Sequence, residues 1–419
     1  MTDQTSTWLN KGLLAVMTIL LTVSCGVEEE GIPPPLDTLY YPLGLAAHPE
    51  GRFLLVSNAV FDRKYNRSYL SVVDTFEGRL IPESSVELDL FAGEVKLSRT
   101  CSEQSDAICQ PRVIGLVPSR DTNTLTSFEI KVNEEKVEIH CGQTEGTQHC
   151  AGAFVQHSGL NERSSDAPYS LSLSQKGAFL SHINTGALSS WYVSDAPPYI
   201  KFGCQLQLPG AHYVTVHPTL GSAIVSDRFG LDLHHVSRVP KGGVGCELRL
   251  LERLNTRSAL NSESRGLAFS ASGEQLYVTH SIDGTLKIYA SQLSDGGELF
   301  SQQLASFPVG DGANLVRVAG RSAADLSESS SNESSIDSLG QGLVYVSSLT
   351  DGLITVIDPV HLKVLSRISV GRGAHDISFM LSEEGKLRGY VSLFEEHKLS
   401  ILDLHPGSET RFKVIGEIK

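Results

Sequence analysis

The chain has 419 residues, of which 40% are hydrophobic, 20% charged and 7% aromatic. That is enough apolar material for a large core, which excludes wholesale disorder. Lys and Arg number 34 against 48 Asp and Glu, a net charge of -14, so a non-specific nucleic-acid binder is excluded as well. With 38 Gly and 3 Met, the composition leans away from helices.

The first residues read as a targeting segment. Lys11 precedes an apolar run, Gly12 to Leu21, about half the ~20 residues a membrane-spanning helix needs. The run ends in Leu21-Thr22-Val23-Ser24-Cys25-Gly26, which resembles the lipobox of bacterial lipoproteins, with Thr22 where Leu is usual. The resemblance implies a signal peptide over 1–24 and an acylated (palmitate-bearing) Cys25. It also implies attachment to the cell envelope, with Gly26 favouring the outer membrane, on its periplasmic or surface face. An ordinary signal peptide with an incidental cysteine is the alternative. Glu28 to Glu30 and Pro33 to Pro35 read as an extended tether, closing a segment 25–35.

Seven cysteines become an even six once Cys25 is set aside: Cys101, Cys109, Cys141, Cys150, Cys204 and Cys246. An exported chain would pair them. Cys101–Cys109 and Cys141–Cys150 are expected as local staples. Cys204 and Cys246 sit in matching contexts, Cys-Gln-Leu-Gln-Leu and Cys-Glu-Leu-Arg-Leu, which suggests equivalent places in neighbouring repeats. A zinc site is the alternative, and no CxxC supports it. No metal and no cofactor are expected.

From residue 36 onward one unit recurs: an apolar strand, a Pro or Gly turn, a strand ending in Ser, a turn, a strand ending near Asp, then a last strand. The copies begin with Gly44 to Asn58 and Tyr69 to Asp74, and continue with Tyr169 to Ser181 and Val214 to Ser226. The clearest runs from Arg265 to Tyr289, and two more are Leu343 to Asp358 and Gly389 to Asp403. Alternating apolar residues and tight turns make each copy a four-stranded antiparallel meander. One such sheet leaves its faces bare, so neighbours must stack on it. The spacing predicts an all-β, seven-bladed propeller over 36–419, with blades of roughly 50 residues. Blade starts are expected near Pro42, Pro111, Pro168, Gly210, Ser264, Gly312 and Gly373. Leu36 to Tyr41 is a candidate strand for closing the ring on the last blade. The Ser-rich, acidic stretch at about 321–341 is expected to be a mobile loop inserted in the sixth blade.

The pattern of Leu-Tyr-Val-Ser followed by Ser-Val-Ile-Asp resembles the YVTN and YncE-like propellers, a group that includes seven-bladed lactonases. The resemblance implies the fold, and it does not fix an activity, because unrelated functions share this architecture.

Aligned copies put Leu43, Arg112, Tyr169, His212, Arg265, Asn314 and His375 at one offset, the entry to the innermost strands. Six of the seven are polar, aromatic or ionisable, and converging polar groups on a packed wall favour a ligand. The two arginines suit a carboxylate or phosphate, and the two histidines suit proton transfer. The leading expectation is therefore a monomeric, non-catalytic envelope protein that binds a protein or a small anionic ligand. The alternative is a lactonase-type hydrolase built on His212, His375 and Arg265, with Asp376 as a further acid. His48 and His217, each followed by Pro, read as turn elements. Adjacent His234 and His235 point to opposite faces of a strand and cannot share a metal. Asp74, Asp358 and Asp403 read as turn-forming residues. No GxSxG, Walker, HExxH or GxGxxG motif is placed to act.

Overall fold

The computed structural model describes residues 31–100, 112–133, 136–143, 147–158, 166–174, 177–194, 196–229, 232–241, 245–255, 263–293, 299–319 and 339–419. The chain divides into two units, residues 1–33 and 34–419, and the fold below is that of the second. Cys25, the Cys101–Cys109 pair and most of the Ser-rich stretch lie outside the described residues. No described helix is long and apolar enough to cross a membrane.

Seven antiparallel sheets form a seven-bladed β-propeller. The first is β1 (Pro42–Ala47), β2 (Phe53–Asn58) and β3 (Ser68–Asp74), with β4 (Arg79–Leu80) and β5 (Val86–Leu88) both on β3. The second is β6 (Lys96–Thr100), β7 (Arg112–Ser119) and β8 (Thr124–Asn133), with β9 (Lys136–His140) and β10 (Val155–His157) both on β8. In these two blades the outermost strand is thus split in two. The third blade is β11 (Pro168–Ser174), β12 (Gly177–His182), β13 (Ala187–Val193) and β14 (Ile200–Gln207). The fourth is β15 (Ala211–Val216), β16 (Ala223–Asp227), β17 (Asp232–Lys241) and β18 (Gly245–Asn255). The fifth is β19 (Ser264–Phe269), β20 (Gln275–His280), β21 (Thr285–Leu293) and β22 (Leu299–Pro308). The sixth is β23 (Ala313–Val318), β24 (Val344–Ser348), β25 (Leu353–Asp358) and β26 (Lys363–Ser369), and the seventh β27 (Ala374–Leu381), β28 (Leu387–Leu393), β29 (Lys398–Asp403) and β30 (Lys413–Ile418).

Six blade starts fall where the repeat places them. The second does not: its innermost strand is β6, before Cys101, and Arg112 opens the second strand. The ring also closes without strand exchange, since all four strands of the last blade come from the C-terminal end. Residues 36–41 form no strand; instead Leu39 packs with Leu45, Met380, Tyr390 and Ile418 in the seam between first and last blades.

The core is divided among the seven seams. Phe53 and Leu55 meet Val117 and Phe128, Leu116 meets Leu171 and Trp191, and Phe179 meets Val214 and Val225. Further round, Tyr213 meets Leu267, Tyr277 meets Val316 and Tyr345 meets Ile377. Each blade is therefore sandwiched, which explains why the second strands are buried along their length. Cys204–Cys246 adds a covalent tie between β14 and β18 of adjacent blades, and Cys141–Cys150 closes a loop within the second.

One device recurs and positions the mouth of the ring. In six innermost strands the pairing register slips by one residue at the strand entry, a bulge that takes one N–H out of the ladder. A hydroxyl at the second-to-last residue of the second strand accepts it. Gly44 N–H donates to Ser57 (2.9 Å), Ser170 to Ser181 (3.1 Å), Tyr213 to Ser226 (2.9 Å), Gly266 to Thr279 (2.7 Å), Leu315 to Ser347 (3.1 Å) and Asp376 to Ser392 (3.0 Å). The same hydroxyls then donate to the next blade's entry carbonyl: Gly93, His212, Arg265, Asn314, His375 and Leu43 respectively. In the second blade Pro118 stands at that place, and its carbonyl accepts Gly93 N–H at 2.7 Å instead.

Candidate functional site

The carbonyls held by this hydroxyl belt belong to the residues that rim one mouth of the central channel. Tyr169 stacks on His212 with ring centroids 4.7 Å apart and planes 21° apart. His212 Nδ1 lies 3.4 Å from the Ser264 carbonyl, one residue before Arg265. The Asn314 side-chain amide donates to the His375 carbonyl at 3.3 Å. Arg265 is close enough for its charge to act on both His212 and His375. Its Nε is buried without a hydrogen-bond acceptor among the described residues, and His375 Nδ1 likewise has no partner.

Arg120, from the turn between β7 and β8, completes the rim. Its guanidinium sits 4.8 Å from the Phe61 ring and 5.6 Å from the Tyr169 ring. Burial and the nearby Arg265 both lower its pKa. Among the described residues no carboxylate is within ion-pair distance of Arg120 or Arg265. The acids close by are already engaged: Glu263 is 3.7 Å from both Arg228 and His212, and Asp121 pairs with Arg63.

The histidines carry little charge here. Burial first, then Arg265 and Arg228, pushes His212 down to about 3. Burial pushes His375 down to about 4, with Arg265 and Arg317 adding to the fall and Asp376 and Glu94 opposing it. Both are neutral at pH 7, so the positive character of the mouth comes from the two arginines.

Below the rim, side chains from the second, fourth, sixth and seventh blades meet, which places them on the ring axis. Arg317 of β23 donates to Asp376 of β27 at 2.9 Å, to Glu94 before β6 at 3.0 Å, and to the Tyr213 hydroxyl of β15 at 3.1 Å. The Tyr213 hydroxyl donates to Glu94 in turn, and Lys96 stands 3.5 Å from the same carboxylate. Burial disfavours an ionised Glu94, but Lys96 and Arg317 outweigh it and hold the carboxyl below its usual range. Burial and Glu94 keep Tyr213 protonated. Two cations and two anions balance, so this group plugs the channel and leaves Arg120 and Arg265 as the uncompensated charges above it.

Of the residues expected at the mouth, Tyr169, His212, Arg265, Asn314 and His375 are brought together, and Leu43 lines the rim as an apolar member. Arg112 is not among them. It pairs in register with Thr100, at the far end of β6 from Gly93, and lies 3.6 Å from Glu129. The misplacement follows from starting the second blade one strand late. Arg120, Glu94, Lys96, Tyr213 and Arg317 were missed. A usable signal exists for part of the set: Glu94 and Lys96 sit two apart, hence on one face of a strand.

His48, His217, His234 and His235 lie apart from this site. His48 Nδ1 accepts the Glu50 amide at 3.3 Å and His217 Nδ1 the Thr219 amide at 3.3 Å, as turn elements. His235 bonds Ser222 at 2.8 Å while His234 lies near Asp227. Asp74, Asp358 and Asp403 each accept backbone amides of the turn that follows. No group of metal-ligating side chains occurs among the described residues.

No protein-family model matches the chain, and no curated protein is significantly similar in sequence. Solved structures are similar in fold. A periplasmic gluconolactonase of Pseudomonas aeruginosa has a TM-score of 0.55 at 15% identity, over 87% of this chain and 95% of that one. A 6-phosphogluconolactonase-like protein of Bacteroides fragilis has a TM-score of 0.55 at 11% identity, over 88% and 95%. Hydrazine synthase of Kuenenia stuttgartiensis has a TM-score of 0.54 at 12% identity, over 92% and 99%. At such identities the likeness is one of fold.

Proposed function

We propose that the chain is a non-catalytic binding protein of the bacterial cell envelope that holds a small anion at the mouth of its propeller. The observation that carries this reading is the pair of guanidiniums, Arg120 and Arg265, set at one mouth with no carboxylate among the described residues to neutralise them. Partly buried cations attract a counter-charge strongly because solvent screens them poorly. Tyr169, Asn314 and the neutral His212 and His375 supply the orienting polar groups. A lipid on Cys25 anchors the propeller to the outer membrane, a reading supported by the lipobox-like Leu21 to Gly26. Palmitate labelling that persists in Cys25→Ser would refute it.

The second reading is a lactone hydrolase, favoured by the gluconolactonases among the fold neighbours and by Arg265 beside His212 and His375. Its weakness is the base. A general base works best with a pKa near the operating pH, and these imidazoles sit at about 3 and about 4. Titration calorimetry with inorganic phosphate and with gluconate tests the anion site. The binding account expects saturable uptake that weakens about tenfold or more in Arg265→Gln and in Arg120→Gln. Uptake untouched by either substitution contradicts it.

A further inference from the structure

Arg120 is embedded in an aromatic wall that continues the rim toward the first and last blades. Phe61 stacks with Phe91 at 5.3 Å and meets Phe394 edge-on at 5.1 Å, and Tyr41 lies 4.9 Å from Phe394. All four rings are half-buried, although they stand in turns beside the channel and not in a seam. Such an apolar patch beside unneutralised charge marks a binding surface.

The backbone gives a second, independent indication. The residue two before each strand-entry position takes a left-handed conformation in six blades. Gly210, Gly312 and Gly373 do so as glycines, with φ of 83°, 69° and 74°. Tyr41, Phe91 and Ala167 occupy the equivalent places in the first three blades with φ of 53°, 60° and 47°. Glycine adopts this conformation without penalty, whereas a side chain there is strained. Two aromatic rings are thus held at the mouth in a conformation that costs a side chain energy, and strain of this kind collects at ligand clamps.

Resting on the anion-site reading, we propose that the ligand is a small aryl carboxylate: a flat apolar ring lodged on the Tyr41–Phe61–Phe91–Phe394 wall, with its acid group on Arg120. Three of the four rings are phenylalanines and carry no hydrogen-bonding group. A hydroxylated sugar acid placed there would lose its bonds to water without replacement, while a flat ring loses nothing and stacks. The polar groups nearest the wall are already committed. Asp62 accepts from the Tyr40 hydroxyl at 2.5 Å and from the Lys64 amide at 3.1 Å, and His397 Nδ1 accepts the Tyr41 amide at 3.0 Å. Arg120, clasped between Phe61 and Tyr169, is fixed in place and leaves its N–H edge for the carboxylate.

The test is a titration of the purified full chain with 3-phenylpropionate, gluconate and 3-phenylpropanol. The wild-type chain is expected to bind 3-phenylpropionate at least about tenfold more tightly than either of the others. Phe394→Ala is expected to weaken 3-phenylpropionate at least about fivefold more than gluconate. Gluconate binding as tight as 3-phenylpropionate overturns the ligand class and leaves the anion site standing. If neither acid binds, the anion site falls with it. The wild-type comparison decides even if the variant fails to fold.

Discussion

At the scale of single residues, position within the strand entry decides what a side chain does. The entry residues supply the mouth, whereas Glu94, Tyr213 and Asp376, one residue further on, and Arg317, three further on, meet on the axis. The mouth set was legible because one offset repeats Tyr169, His212, Arg265, Asn314 and His375. The axial set was not, because Glu94, Tyr213, Arg317 and Asp376 come from four blades and lie far apart in sequence, and only the sixth and seventh of those blades are neighbours in the ring. Arg317 is central to that set. Arg317→Met leaves Asp376, 1% exposed, without its ion-pair partner, and Glu94, 5% exposed, with Lys96 alone. Breaking a buried pair from one side costs about 3–5 kcal/mol. Chemical denaturation should record a loss of that order; an unchanged midpoint would mean that the plug contributes no net stability.

At the scale of elements, the serine or threonine one residue before the end of six second strands has a physical reason: its hydroxyl satisfies the bulged N–H of its own blade and the entry carbonyl of the next. That signature made six blades readable. The second blade was obscured on two counts. Pro118 replaces the serine, and β6, Lys-Leu-Ser-Arg-Thr, carries no fully buried residue to mark it as a strand. The Arg112 error follows from this, since a late start shifts every residue of the blade. Ser347→Ala removes one complete bridge, leaving the Leu315 amide unpaired and the His375 carbonyl with only the Asn314 side-chain amide. Each unsatisfied buried group costs about 1–3 kcal/mol, so the melting temperature should fall by several degrees. A melting temperature equal to wild type would show that the belt is decorative.

At the scale of the whole molecule, the ring depends on buried neutral histidines. Burial lowers His48, His182, His235, His280 and His375 to about 4 and His212 to about 3. Below the ordinary value of 6.5 the unfolded chain takes up protons that the folded chain refuses, so stability falls as pH falls. Each such group costs about 1.4 kcal/mol per pH unit in that window, against a total margin of about 5–15 kcal/mol. Circular dichroism should therefore report cooperative unfolding between about pH 6 and pH 4. Retention of the folded signal at about pH 3.5 would contradict the burial of these imidazoles as neutral groups.

The same scale holds the functional claim, since the mouth exists only when seven blades close around it. One nuclear magnetic resonance experiment tests it: gluconolactone and gluconate are mixed with the chain, and saturation transfer and lactone hydrolysis are followed in the same tube. Transfer to gluconate is expected, and is lost in Arg265→Gln, while the lactone opens at the buffer rate. Hydrolysis accelerated by the wild-type chain and abolished in His375→Ala would contradict it.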